Sequence, residues 1–149
     1  SYPLQGKKIA MIGCGASGIQ VAPHLQRVAS HLTIFQRTPQ WVGPKGNRTF
    51  TSFEKTLFRS FPILMFIYRT ILYYYHEFLF NSFYKQSKLG RFLSYLCLTY
   101  LHFTVADRDL RRRITPRYTF GCKRVLMSDE FYQCLNYDNV TMITDPIDS

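Results

Sequence analysis

The stretch Lys8–Gly18, KIAMIGCGASG, decides the fold of this chain. Its first part, Lys8–Ile12 (KIAMI), is a short apolar run that suits a buried parallel strand, and a glycine-rich turn follows directly. From Ile19 apolar residues recur at helical spacing, which predicts a helix through Ser30, and Leu32–Phe35 (LTIF) is predicted to be a second strand. Such a unit of about thirty residues has the βαβ size that binds nucleotides. The sequence therefore predicts an α/β fold with a Rossmann-like parallel sheet.

The turn has the pattern GxGxxG, formed by Gly13, Gly15 and Gly18. In such a turn the first glycine permits the tight bend, the second lets the backbone approach a pyrophosphate, and the third lets the helix pack closely on the strand. The pyrophosphate then binds the free N–H groups at the start of the helix. Because the pattern has its strand, helix and second strand, we expect dinucleotide binding. A glycine-rich turn in an unrelated α/β domain is the alternative.

The end of the second strand indicates which dinucleotide binds. NAD and FAD sites usually place Asp or Glu there to accept hydrogen bonds from the ribose hydroxyls. This strand instead continues with Gln36, Arg37, Thr38 and Pro39. A guanidinium can hold a phosphate dianion with two hydrogen bonds, so Arg37 favours NADP over NAD and argues against an FAD site. Thr38 offers a further hydroxyl donor. A solvated charge at the strand end is the alternative interpretation of Arg37.

The middle of the chain, residues 43–110, is predicted to be a helical insertion. Pro62 and Gly90 are expected to break its long aromatic or amphipathic stretches into two or three helices, which cover Phe53–Tyr75, Glu77–Gln86 and Leu89–Phe103. Interrupting charges argue against a membrane span, which needs about eighteen or more apolar residues. We expect the insertion to pack on a neighbouring domain or to lie on a membrane surface, and membrane contact is left open rather than predicted.

Residues 111–149 return to an α/β pattern. The predicted elements are a short basic helix at Asp107–Ile114, a loop at Tyr118–Arg124 (YTFGCKR), a helix at Ser128–Leu135 that begins with a capping serine, and a strand at Asn139–Thr144. The chain thus divides into a βαβ unit (1–42), the helical insertion (43–110) and the return to the α/β domain (111–149). Together they are predicted to be part of one NADP-binding domain.

Charge and cysteine content exclude other kinds of site. The formal net charge is +10, but the basic residues are scattered and no nucleic-acid-binding motif is present, so we expect no nucleic-acid partner. No metal site is expected either, since neither the histidines nor the cysteines have ligand spacing. The thiols are interpreted as buried or incidental in a reducing compartment, which favours the cytoplasm; they are Cys14, Cys97, Cys122 and Cys134.

Four strings together resemble the flavoprotein monooxygenases of the Baeyer–Villiger type, which are relatives of the flavin-containing monooxygenases. They are KKIAMIGCGASGIQVAP (7–23), HLTIFQRTPQWVGP (31–44), LRRRITPRYTFGCKRVLMSDEFY (110–132) and NVTMITDPI (139–147). The combination of GxGxxG, QRTP and GCKR is the specific part of the match. That family has one domain for FAD and another, inserted within it, for NADPH. The resemblance implies that this chain is part of the NADPH domain and that the FAD domain is absent from it.

The resemblance also implies roles for single residues. Lys123 would be a second cation for the 2′-phosphate, beside Arg37 and Thr38. Arg124 would be the active-site arginine, near the flavin, where a preplaced cation stabilises the negative charge of the oxygenated intermediate. The residues implied in cofactor binding are Gly13, Gly15, Ala16, Ser17, Gly18, Gln20, Arg37, Thr38 and Lys123.

The function implied is oxidation of a small organic substrate by O2, with NADPH and FAD. A ketone would become an ester or lactone, or a heteroatom would be oxidised, and this part alone would be inactive without the FAD domain of the parent chain. Two alternatives remain at this point. One is a non-catalytic dinucleotide-binding or interaction module. The other is a simple NADP-dependent dehydrogenase, for which we find no general acid–base set.

Overall fold

The computed structural model describes residues 3–80 and 88–145. The predicted Glu77–Gln86 helix lies partly outside these residues, as does the end of the fourth quoted string. The elements follow in the order β1 (Lys8–Ile12), α1 (Ala16–Val28), β2 (His31–Phe35), β3 (Val42–Gly43), α2 (Ser52–Ser60), α3 (Pro62–Phe80), α4 (Lys88–Thr104), α5 (Arg108–Ile114), β4 (Leu126–Met127), α6 (Phe131–Cys134) and β5 (Val140–Ile143).

Three parallel strands form the main sheet, in the order β1–β2–β5. Ile9 pairs with Leu32, and Leu32 pairs with Val140, so β2 is the central strand. The helix α1 packs against β1 and β2, and Leu32 and Ile34 of β2 are fully buried. The predicted α/β class with a small parallel sheet is therefore confirmed.

The edge strand β1 corrects the expectation of a buried strand. Its residues alternate between exposed and partly buried, and Ile12 is 76% exposed. Ile9 and Met11 pack against the core from the other face. An apolar run favours a strand, but successive side chains of a strand point to opposite faces of the sheet. Only every second residue of this run can therefore pack against the core.

The side chain of Asn139 fixes β5 beside α1. Its amide nitrogen donates to the carbonyl oxygens of Gln26 (2.9 Å) and Ala29 (3.2 Å), and its amide oxygen accepts from the Gln26 side chain at 3.2 Å. The Asn139 carbonyl also accepts from Leu32 N at 2.7 Å. One residue thus satisfies the carboxyl end of α1 and sets the register of β5 on β2.

The helices α2 and α3 form a hairpin, and the start of each helix follows from a local sequence signal. Thr51 and Glu54 form a capping box at the beginning of α2, and the break before Pro62 is confirmed. Phe50, Phe58 and Tyr68 join the two helices, with ring centroids 5.6–5.9 Å apart. The expected division near Tyr75 is wrong, since α3 continues through this point.

The surface of α3 is apolar and exposed. Its large side chains include Ile63, Phe66, Ile71 and the tyrosines at 73–75, all exposed. Among the described residues, α3 makes its extensive contacts with its hairpin partner α2. No described helix is long and apolar enough to cross a membrane.

Gly90 does not break α4, contrary to expectation. It is buried in the first turn of the helix, which packs on β3 and α6. A glycine weakens a helix by about 1 kcal/mol relative to alanine rather than ending it. Burial of Cys97 and Leu101 on the same helix favours the helical state.

The segment after α5 is less helical than predicted. The helix α6 covers Phe131–Cys134 rather than Ser128–Leu135, although the Ser128 hydroxyl does accept from Phe131 N at 3.1 Å. After α6 ends, the side chain of Asn136 accepts a hydrogen bond from Ala106 N at 3.0 Å and donates one to the Thr104 carbonyl at 2.7 Å. The chain is thereby tied to the end of α4. The expected helix at Asp107–Ile114 and strand at Asn139–Thr144 are confirmed to within one residue at each end.

We expect the core to lie at β2 and not at α3. Ile34→Ala should lower the free energy of unfolding by about 2–5 kcal/mol, because Ile34 is fully buried. Ile71→Ala makes the same truncation at a position that is 60% exposed and should change stability by less than about 0.5 kcal/mol. Urea unfolding of both variants tests this. Equal losses would show that α3 contributes to the folding core.

Candidate functional site

Two glycines of the turn after β1 are required by the backbone itself. Gly13 has φ +90°, a conformation that side chains rarely adopt. A Cβ at Gly18 would lie 2.7 Å from the Gly13 carbonyl oxygen, which cannot move aside without moving the turn. The Gly13 N–H donates to the Phe35 carbonyl at 2.8 Å, which joins the turn to the end of β2.

The fold itself does not require a glycine at position 15. Its φ is −74°, which any residue can adopt, and it precedes the first residue of α1. No atom of the described chain lies within 4 Å of a Cβ built there. A side chain at this position would therefore meet open space above the start of the helix.

The start of α1 offers unpaired backbone donors. In the described chain no side chain caps it, and its first turn contains no acidic residue. Ser17 and Gln20 are exposed on the first turns, and Ala16 is partly exposed. The N–H groups and the positive end of the helix dipole favour an anion at this position.

The end of β2 lies beside this turn. Ile12 and Phe35 are register partners in parallel strands, so both strands end at the same edge of the sheet. Gln36 is buried and its N–H donates to Ile143 at 2.9 Å. Arg37 follows with an exposed side chain and Thr38 is half-buried. None of the ion pairs among the described residues involves Arg37.

The loop Tyr118–Arg124 is held against the same region. Trp41 Nε1 donates to the Tyr118 carbonyl at 3.1 Å, and the Tyr118 hydroxyl donates to Gln40 Oε1 at 3.1 Å. The Gln40 amide in turn donates to the Thr38 carbonyl at 3.4 Å. The structure therefore links the loop that carries Lys123 to the segment that carries Thr38.

Lys123 and Arg124 are both exposed at the end of this loop. The Lys123 ammonium lies over the Tyr118 ring, 4.9 Å from its centroid. Gly121, with φ +87°, turns the backbone just before them. Contacts connect Lys123 through Tyr118 and Gln40 to the Thr38 carbonyl, whereas no described contact joins Arg124 to another predicted site residue.

Trp41 anchors the loop, and the sequence interpretation overlooked it. It is 7% exposed and packs edge-on against Phe120, with centroids 5.4 Å apart. It directly precedes β3, which pairs with β4 just after the loop. The signal was present in the sequence: the single tryptophan of the chain follows QRTP after one residue.

Of the free thiols, Cys14 and Cys97 are buried, whereas Cys122 is exposed in the loop Tyr118–Arg124. Burial raises the pKa of Cys14 to about 12 and that of Cys97 to about 11, so neither is a ready nucleophile. In residues 3–80 and 88–145, no cluster of three His, Cys, Asp or Glu could hold a metal ion. The turn, the strand end and the loop present features that favour an anion: free N–H groups at the start of α1 and the exposed cations Arg37 and Lys123.

Relatives of known name match almost the whole chain. A Baeyer–Villiger monooxygenase of Pseudomonas aeruginosa is 39% identical over 146 residues, which are 98% of this chain and 28% of that protein. The FAD-binding monooxygenase ktnD of Aspergillus niger is 36% identical over 99% of this chain and 24% of its own length. The chain thus spans about a quarter of these relatives. No protein-family model matches it.

Solved structures agree with this match. OTEMO in complex with FAD and NADP has a TM-score of 0.71 and 25% identity over 95% of this chain and 33% of its own chain. A steroid monooxygenase bound to NADP has a TM-score of 0.76 over 95% of this chain and 34% of its own, and its 18% identity shows the shared fold alone. In sequence and in fold, this chain is similar to one segment of the Baeyer–Villiger and related FAD-binding monooxygenases.

Proposed function

We propose that this chain is the NADPH-binding part of an FAD-dependent monooxygenase, and that its β1–α1–β2 unit is a Rossmann-like dinucleotide site. The observation that carries the proposal is Gly15. The fold requires glycine at positions 13 and 18 but not at 15, where a side chain would enter empty space. A pyrophosphate that approaches the backbone there supplies the missing reason for glycine.

The dinucleotide fits the site in two parts. The pyrophosphate would accept hydrogen bonds from the first N–H groups of α1, which no side chain caps in the described chain. The adenosine end would then reach the adjacent end of β2, where Arg37 and Thr38 follow Gln36. Arg37 can hold a 2′-phosphate with two hydrogen bonds, and Lys123 adds a second positive charge from the neighbouring loop.

The names of the relatives support a flavin partner. FAD would be held by another domain of the parent protein, and the two cofactors when bound would supply hydride transfer and oxygen activation. Arg124 would present its charge toward that domain, where negative charge develops on oxygen during the reaction. The parent activity that we propose is oxidation of a ketone to an ester or lactone, or of a heteroatom, in a small organic substrate.

The role of Gly15 can be separated from folding. Gly15→Ala should change the free energy of unfolding by less than about 1 kcal/mol. It should weaken NADPH binding by about 1.4 kcal/mol or more, a tenfold loss, because the new methyl group overlaps the pyrophosphate. Gly18→Ala is the matched contrast and should lower stability by about 1–3 kcal/mol. Chemical unfolding and calorimetric titration test both variants, and unchanged NADPH affinity in Gly15→Ala would overturn the proposal.

Arg37 should determine the choice between NADPH and NADH. Arg37→Ala should cost about 1.5–3 kcal/mol of NADPH affinity, the range for hydrogen bonds to charged groups, and should leave NADH binding nearly unchanged. Arg27→Ala is the matched control, since Arg27 is an exposed arginine at the other end of α1, paired with Glu130. Isothermal titration with both cofactors measures the effect. Equal losses for the two cofactors would show that Arg37 does not contact the 2′-phosphate.

Lys123 and Arg124 should have different phenotypes in the full-length protein. Arg124→Ala should leave reduction of the flavin by NADPH largely intact but lower product formation by about a hundredfold or more. Lys123→Ala should raise KM for NADPH and spare product formation at saturating cofactor. Stopped-flow absorbance of the flavin, beside product yield, separates the two steps. The same phenotype for both variants would contradict this division.

A further inference from the structure

Tyr118 contacts three parts of the candidate site at once. Its backbone carbonyl accepts from the Trp41 indole N–H at 3.1 Å, and its hydroxyl donates to Gln40 Oε1 at 3.1 Å. Its ring face lies beneath the Lys123 ammonium at 4.9 Å. One residue thus joins the loop cation to the segment that follows Arg37 and Thr38.

Backbone groups hold the loop independently of the Tyr118 side chain. The bond from Trp41 goes to the backbone carbonyl, which any residue supplies at this position. The pairing of β3 with β4 and the Leu126 N–H bond to the Trp41 carbonyl, at 2.8 Å, hold the loop from its far side. The ring itself is only half-buried. The side chain adds its contact with Lys123, its bond to Gln40 and an edge-on contact with the Trp41 ring, with centroids 6.5 Å apart.

The contact restricts a side chain that would otherwise be free. A lysine carries about 2 kcal/mol of rotamer entropy, which it loses when it binds a fixed anion. An ammonium already held over an aromatic face has lost part of this freedom before the ligand arrives. Because the ring occupies one side of the ammonium, its hydrogen-bond donors remain available to a phosphate on the other. Burial raises the pKa of the Tyr118 hydroxyl, which therefore stays protonated as the donor to Gln40.

We propose that Tyr118 is a positioning residue for cofactor choice: its ring holds the Lys123 ammonium beside the strand end, where it meets the adenosine 2′-phosphate. This inference rests on the proposed NADPH site. It adds a residue that touches no cofactor but tunes the preference for a phosphorylated ribose. It also assigns a purpose to Gln40, which keeps the ring in place from the Thr38 side.

The test compares two small ligands that differ only in the phosphate at issue, 2′,5′-ADP and 5′-AMP. The Kd for 5′-AMP divided by the Kd for 2′,5′-ADP, both measured in the full-length protein, gives what the 2′-phosphate contributes. Tyr118→Leu should lower this ratio about two- to fivefold, the effect of a cation–π contact at an exposed site. Tyr118→Phe keeps the ring but loses the bond to Gln40, so it should lower the ratio less than Tyr118→Leu does. The affinity for 5′-AMP should be the same in all three proteins.

A double-mutant cycle with Lys123→Ala separates positioning from a general effect on the loop. If Tyr118 acts through Lys123, then Tyr118→Leu should change nothing further once Lys123 is absent. The contact can also be tested in the unsubstituted protein by NMR. The ring current of Tyr118 should shift the signals of the Lys123 side-chain protons beside the ammonium. An unshifted Lys123 signal would overturn the contact, and an additive cycle would overturn the positioning role.

The outcomes also separate this inference from the proposed function. If the unsubstituted protein binds 2′,5′-ADP no better than 5′-AMP, the NADPH site is wrong and the inference falls with it. If it prefers 2′,5′-ADP, and Lys123→Ala lowers that preference while Tyr118→Leu does not, the site stands and only the role of Tyr118 is rejected. A third outcome is that Tyr118→Leu weakens binding of both ligands, Tyr118→Phe leaves both affinities unchanged, and the double-mutant cycle shows no coupling with Lys123. That outcome would show that Tyr118 has only a structural role.

Discussion

The hydrogen bond from Gly13 N–H to the Phe35 carbonyl, at 2.8 Å, is the constraint on which this face of the molecule depends. It fixes the end of β1 beside the end of β2, so that the turn before α1 and the segment after β2 share one edge of the sheet. Parallel pairing alone would align the strands. This bond and the positive φ of Gly13 together set the direction of the backbone after β1, so that α1 begins at Ala16.

A second set of contacts joins the two ends of the helical segment between β3 and β4. The chain leaves through β3 and returns through β4, and these two-residue strands pair in parallel. Asp129 completes the closure by accepting N–H bonds from Lys45, Gly46 and Asn47 at 2.7–3.0 Å. Partial burial alone would raise the pKa of Asp129, but the three N–H bonds outweigh it and lower the pKa. The carboxylate therefore stays charged where it holds the entry of the insertion to its exit.

The sequence predicted what depends on local pattern. The βαβ unit follows from period-two and helical spacing around GxGxxG, and the strand at Val140–Ile143 follows from its own apolar run. What it could not predict depends on residues far apart. Strands of two residues have no periodicity, and the contacts of Tyr118 with Gln40 and Trp41 join positions 77–78 residues apart. Asn136 ties the chain after α6 to the end of α4 through a contact that no local signal reveals. The motifs thus identified the turn, Arg37 and Lys123, whereas the residues that support them emerged only from the fold.

This difference follows from how such a site is built. The residues that would touch the cofactor are exposed, and the fold does not explain why these residue types occur there. Gly15 has open space around it, and Arg37 belongs to no ion pair in the described chain. The residues behind them, such as Gln36 and Trp41, are buried and hydrogen-bonded. A rigid support lowers the entropy lost on binding, while the unpaired groups keep their full interaction for the ligand. Exposure at Gly15 and Arg37 is therefore an argument for ligand contact, because the ordered residues beside them leave open space at Gly15 and no ion-pair partner for Arg37 in the described chain.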